Sequence, residues 1–173
     1  MKLIKIMALL IAVLFALASC QGTTKPQTTE EPQTGEEIFD LSGIVTEVEE
    51  GYISLSTEEH GDVHVNLNAE TLFEGEKPVV GAYVHVIYNG QMTRSLPPQI
   101  TALRVGCYRF TGEMADLTDE RFTLKTDLEE IVVNTIPGQT EGLKDGMTIT
   151  VYFDGTMTMS LPAQIGAEHI VLE

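Results

Sequence analysis

Residues 89–102 read Asn-Gly-Gln-Met-Thr-Arg-Ser-Leu-Pro-Pro-Gln-Ile-Thr-Ala, and residues 154–167 read Asp-Gly-Thr-Met-Thr-Met-Ser-Leu-Pro-Ala-Gln-Ile-Gly-Ala, identical at nine of fourteen positions. Self-similarity at a fixed spacing means that one structural unit is used twice. Working outward, Gly81 matches Gly146 at an offset of 65, Val65-Asn66 matches Val133-Asn134 at 68, and Gly43 matches Gly112 at 69. Ile53 and Leu55 match Phe122 and Leu124, also at 69. The offset changes near residues 58–62 and again after Asn66. Length changes collect in connections, so the intervals of constant offset mark the strands.

Within those intervals apolar residues alternate with period two, and no long stretch carries a helical stripe. The first strand has apolar positions 41, 43, 45 and then 48, matched by 110, 112, 114 and 117. The slip of phase predicts a β-bulge. The second strand turns Ile53 and Leu55 inward, and the third Val63, Val65 and Leu67. Val84, Val86 and Tyr88 form the inward face of the fourth, against Ile149, Val151 and Phe153. The fifth has Ile100 and Ala102, against Ile165 and Ala167. The connection over 68–80 is too short for a proper helix and is expected to hold only a turn. The pattern predicts an all-β protein of two tandem five-stranded small barrels, OB-like or SH3-like. The first covers residues 39–106 and the second 107–173. Units of about 65 residues bury only about 60% of their unfolded surface. With only Gly106-Cys107 between them, they are expected to pack together.

Ahead of the repeats, Lys2 and Lys5 precede an uncharged apolar run from Ile6 to Leu17. Twelve apolar residues are too few for a permanent span, which takes about 20, but they suit a signal peptide over residues 1–19. The run ends Leu17-Ala18-Ser19-Cys20. That ending resembles the lipobox of bacterial lipoproteins, which implies cleavage before Cys20 and a lipid on that cysteine. The implied address is the extracytoplasmic face of the cell membrane. Because Gln21 rather than aspartate follows the cysteine, it is the outer membrane in a cell with two membranes. Residues 20–38 then read as a lipidated tether. Residues 21–37 hold no apolar side chain larger than proline, so they are expected to stay disordered. Such a coil reaches roughly 20–25 Å.

The formal net charge is −16, and loss of Lys2 and Lys5 with the signal leaves eight basic against twenty-six acidic residues, or −18. An acidic surface of this kind repels phosphate backbones, so no nucleic acid is expected as a partner. It also repels anionic headgroups, which leaves the lipid on Cys20 as the membrane contact. Cation binding is an alternative use of the acids, and solubility the ordinary one. Apart from Cys20 the chain has one cysteine, Cys107, so no intramolecular disulfide forms. A lone thiol in the apolar context Val105-Gly106-Cys107-Tyr108 reads as a small buried side chain.

In the repeated stretch, Asn89-Gly90 and Asp154-Gly155 are hairpin-type turn signals. Leu96 and Leu161 precede prolines and are pushed toward extended backbone. Ser95, Gln99, Ser160 and Gln164, with Thr93 and Thr158, are the polar side chains kept by both copies. They are expected to tether an irregular loop or to face a ligand. The stretch resembles the closing motif of the YobA-like domains, an uncharacterised family of bacterial lipoproteins. That motif is a strand, Asp/Asn-Gly, a short variable stretch and Ser-x-Pro-x-Gln. The matches are Asn89, Gly90, Ser95, Pro97 and Gln99, and again Asp154, Gly155, Ser160, Pro162 and Gln164. The family often has glutamate before the serine, where this chain has Arg94 and Met159. The resemblance implies location and fold, and no reaction.

Catalysis has little support. A serine nucleophile needs a base, and the four histidines, His60, His64, His85 and His169, have no counterparts between copies. His64 and His85 both face outward by alternation and would make half a metal site if the third and fourth strands were neighbours. No metal or cofactor motif is present. The sequence reading is a non-catalytic binding or structural module, lipid-anchored through Cys20 at the cell envelope, with an envelope protein or glycan as partner. Alternatives are a divalent-cation-binding surface protein and an accessory to an envelope or exported enzyme.

Overall fold

Alternation at period two is realised as eleven strands among the described residues, which are 37–173 of a computed structural model. The expected signal peptide, Cys20 and nearly all of the tether lie outside the described residues. The strands are β1 (Phe39–Glu49), β2 (Tyr52–Thr57), β3 (Gly61–Asn66), β4 (Leu72–Gly75), β5 (Tyr83–Tyr88) and β6 (Gln99–Ala115). The second half adds β7 (Arg121–Lys125), β8 (Glu130–Asn134), β9 (Thr148–Phe153), β10 (Ala163–Gly166) and β11 (His169–Leu172). The described residues are all-β.

In the first copy β1 pairs with β2, β2 with β3, and β3 runs parallel to the start of β6 through Val65↔Ile100. β6 then pairs with β5, and β5 returns to β1. This ring of ladders, with one parallel pair between its third and last members, is a small barrel-like arrangement of OB type. The second copy repeats it from the far half of β6, through β7, β8 and β10. There the last member is broken, and β10 takes the parallel pairing while β11 pairs with β9. Register is kept throughout. Phe39↔Tyr88 returns as Tyr108↔Phe153, Gly43↔Val84 as Gly112↔Ile149, and Val86↔Val105 as Val151↔Ile170.

The hydrophobic interior is divided between the copies. Leu41, Val45, Ile53, Leu55, Val63 and Val65 lie in one cluster, and Phe122, Leu124, Ile131, Val133 and Ile149 in the other. Side chains of this size contribute about 1.5–3 kcal/mol each when fully buried. Cys107 is buried in the first cluster, and burial pushes its thiol pKa up. The predicted bulge falls between Val45 and Glu47. In the second copy Ala115 pairs with Thr123 without a shift of register, and Asp116, just after the strand, takes φ 53°. Beyond the bulge the copies differ, because Leu117 packs on its core while Val48 is 43% exposed.

The 68–80 connection holds a short strand as well as a turn. Asn68 Oδ1 accepts the amides of Glu70 and Thr71 at 2.8 and 3.1 Å, and the Thr71 hydroxyl donates to Ala102 O at 2.9 Å. β4 then runs parallel to β6. Arg104 pairs with Glu74 at 3.3 Å and Arg109 with Glu76 at 2.6 Å. The Tyr108 hydroxyl donates to Glu74 at 2.7 Å, and that bond raises its pKa.

The described residues form one compact unit. β6 runs unbroken through Gly106-Cys107, and Tyr152 of β9 is buried in the first copy's cluster. His169 of β11 stacks on Tyr83 of β5 at 5.9 Å. Burial there lowers the His169 pKa.

Two outcomes follow. A Cβ at Gly43 would meet Ser56 O at 2.5 Å, and at the matching Gly112 would meet Lys125 O at 2.4 Å. A partner strand's backbone cannot give way as a side chain does. Gly112→Ala should therefore cost about 2–3 kcal/mol, as overpacked interiors do. Gly166→Ala, with nothing within 4 Å of its Cβ, should stay within about 0.5 kcal/mol. Urea titration of both variants checks this. For His169, the folded state binds its proton less tightly than the unfolded state, whose pKa is about 6.5. Stability from the neutral ring is therefore complete above that pH and falls as pH drops toward the lowered folded value. Relative to His169→Gln, the wild-type melting temperature should decline across that acidic window, as calorimetry at stepped pH would read.

Candidate functional site

The loops after β5 and β9 are built by the same bonds. Gly90 and Gly155 turn the chain at φ 77° and 88°, where glycine carries no steric cost. Each lies beneath an aromatic ring of the first strand, and a Cβ would meet Phe39 at 2.4 Å or Tyr108 at 2.7 Å. Those rings tilt against Tyr88 and Phe153, both at 5.9 Å. Asn89 Oδ1 accepts the Gln91 amide at 3.1 Å, and Asp154 Oδ1 accepts the Thr156 amide at 2.7 Å. These are Asx turns, in which a short polar side chain stands in for backbone.

Further along, the Thr93 amide donates to Gln99 O at 2.9 Å while the Thr93 hydroxyl accepts the Gln99 amide at 2.8 Å. Thr158 does the same to Gln164 at 3.0 and 2.9 Å. Ser95 and Ser160 each share a 2.7 Å hydroxyl contact with that threonine. Each also donates to the carbonyl of Pro97 or Pro162 at 2.7 Å. Threonine is thus the hub, and serine the brace. Gln99 and Gln164 hold the loop through their backbone, and their side-chain amides make no hydrogen bond among the described residues.

Those free amides border a concavity in each copy. The first, of about 480 Å³, lies between Asn66 of β3, the Asn89–Thr93 turn and Gln99–Thr101 of β6. Its counterpart, of about 220 Å³, lies between Asn134, Asp154, Thr158 and Gln164–Gly166. Asn66 and Asn134 were not singled out from sequence. Their Nδ2 groups donate to Ile100 O at 3.1 Å and Ile165 O at 3.2 Å, clamping the parallel strand pair. The matched Val-Asn pairs were their signal. At the loop tips Leu96 and Leu161 are each 97% exposed.

Other expected groupings do not form. β3 and β5 each pair with β6 and not with each other, so His64 and His85 are not brought together. His64 stacks on Tyr52 at 5.0 Å, and His85 Nδ1 meets Ser42 Oγ at 2.9 Å. Among the described residues no group of three or more His, Cys, Asp or Glu is placed to share a metal ion.

No family model and no curated protein matches the chain. Among solved structures it is similar to drosophila Unr CSD456, at 11% identity and a TM-score of 0.26, over 75% of this chain. The chain spans 61% of the length of that structure. The exclusion of nucleic acid drawn from net charge runs against this cold-shock-domain neighbour and is withdrawn. Its physical weakness is that net charge averages over the molecule, whereas a ligand meets a local field. Residues 89–105 contain no acid and carry Arg94, while Arg104 is paired with Glu74.

The bonding pattern separates the loop's hub from its free amides. Thr93→Val keeps the shape but strands the Gln99 amide, and should cost about 1 kcal/mol, as should Thr158→Val. Gln99→Ala and Gln164→Ala should stay within about 0.5 kcal/mol, as for other partly exposed side chains without partners. Chemical denaturation of the four variants measures both.

Proposed function

We propose that this chain is a lipid-anchored surface protein of the cell envelope, acting as a non-catalytic binding module with one site in each copy. The observation that carries the reading is the loop. The same threonine, serine and turn bonds recur in both copies, each time beside a concavity edged by an unpartnered glutamine amide. A tether alone needs no such free group, whereas a ligand site does.

The anchoring part rests on Leu17-Ala18-Ser19-Cys20 and on the resemblance of the repeated motif to YobA-like lipoprotein domains. The non-catalytic part rests on the absence of an acid–base pair common to both copies. Cys20→Ala should release the protein from the membrane fraction or leave an unprocessed precursor. Recovery of this variant as a processed, detergent-requiring membrane protein would refute the anchor. Retention on isolated envelope material should survive Cys20→Ala and be lost when Gln99→Ala and Gln164→Ala are added, with the melting temperature unchanged. Full retention by that triple variant would refute the binding site.

A further inference from the structure

The two concavities differ in charge. Around the first, the groups left free for a ligand are the side-chain amides of Gln91 and Gln99, the Asn89 Nδ2 and the Thr101 hydroxyl, with Met92 as apolar surface above the buried Ile100. No ionisable residue lines it, although the chain carries twenty-six acids. The Phe39 ring, seated on Gly90 at its edge, is 42% exposed. In the second concavity Gly166 stands at the position of Thr101, and Asp154 and Glu168 bring two carboxylates.

Amides and hydroxyls both donate and accept, whereas an ionised carboxylate only accepts. A ligand that fits the first lining presents alternating donors and acceptors, forms no ion pair, and has a C–H face to cover Met92 and Phe39. Sugar hydroxyls and the carbon face of a pyranose ring have these properties. We propose that the first-copy concavity binds an uncharged oligosaccharide. This rests on the binding-module reading and adds the ligand class. The second concavity, smaller and carrying two hydrated carboxylates, binds the same chain more weakly.

The test is calorimetric titration of the full chain, in a detergent without a sugar headgroup, with maltohexaose, cellohexaose and chitohexaose, and with oligothymidine as the charged polymer. At least one hexasaccharide should bind saturably. Its affinity should change less than about twofold between about 50 and about 500 mM salt, because no counterions are released. Gln99→Ala should weaken it at least about tenfold, and Gln164→Ala less than about twofold. Equal losses from the two variants would overturn the assignment to the first copy. Saturable binding of oligothymidine alone, weakened by salt and lost in Gln99→Ala, would overturn the ligand class and leave the binding site standing. No saturable binding of any probe, with envelope retention also unaffected in the glutamine variants, would remove both.

Discussion

β6 is paired along nearly its whole length, on both edges at once at Arg104–Gly106 and at Glu113, and its partners change identity as it runs. Gln99–Thr101 pair with β3, Ala102–Gly106 with β5, Arg104–Cys107 with β4, Tyr108–Glu113 with β9 and Glu113–Ala115 with β7. Seventeen residues of strand span about 55 Å. A strand of that length cannot close one small ring, so it closes one and begins the next. Everything downstream inherits its register from this strand. That is why the pairing Phe39↔Tyr88 is reproduced by Tyr108↔Phe153, and why the two loops fall in equivalent positions.

The ring imposes a second constraint. The first strand of each copy must pair with its neighbour on either side while bending sharply, and at the bend its backbone passes against a carbonyl of the second strand. Only hydrogen fits on the Cα there, at Gly43 and Gly112. The bulge that follows lets the strand change course after the crossing. Together they account for a first strand whose apolar phase slips in mid-course.

Much of this was legible in the sequence, because the inward faces are two-periodic and the repeat supplies each strand twice. The bulge showed as a slip in phase. β4 did not show. Leu72 and Phe73 are both exposed, so no alternation marks it, and its strand character comes from pairing with residues some thirty positions away. The matching connection in the second copy is shorter and gave no second reading. Val48 was expected inward from its match to Leu117, but identity in a repeat does not guarantee identical burial after a bulge. At the site, glutamine was expected to share the tethering with serine. The amide that matters belongs to the Gln backbone, and the side chain that holds it belongs to Thr93 or Thr158. Sequence marks which residues recur, not which of their atoms are used. Net charge failed for a related reason, since a sum over the chain says little about one loop.

The common offset of 65 through the loop and the strand after it has a genetic consequence. A chain joined directly from Ala102 to Glu168 would lose 65 residues and still hold β1, β2, β3 and β5, with Gln99–Ala102 followed by His169–Leu172 as the fifth member, in the register that β10 and β11 already use. Unequal exchange within the repeated stretch therefore deletes one whole ring, leaving β4 to pair with His169–Leu172 in place of Arg104–Cys107, and the reverse exchange adds one. The number of rings is thus a quantity that recombination changes in single steps, while the shape of each ring stays fixed.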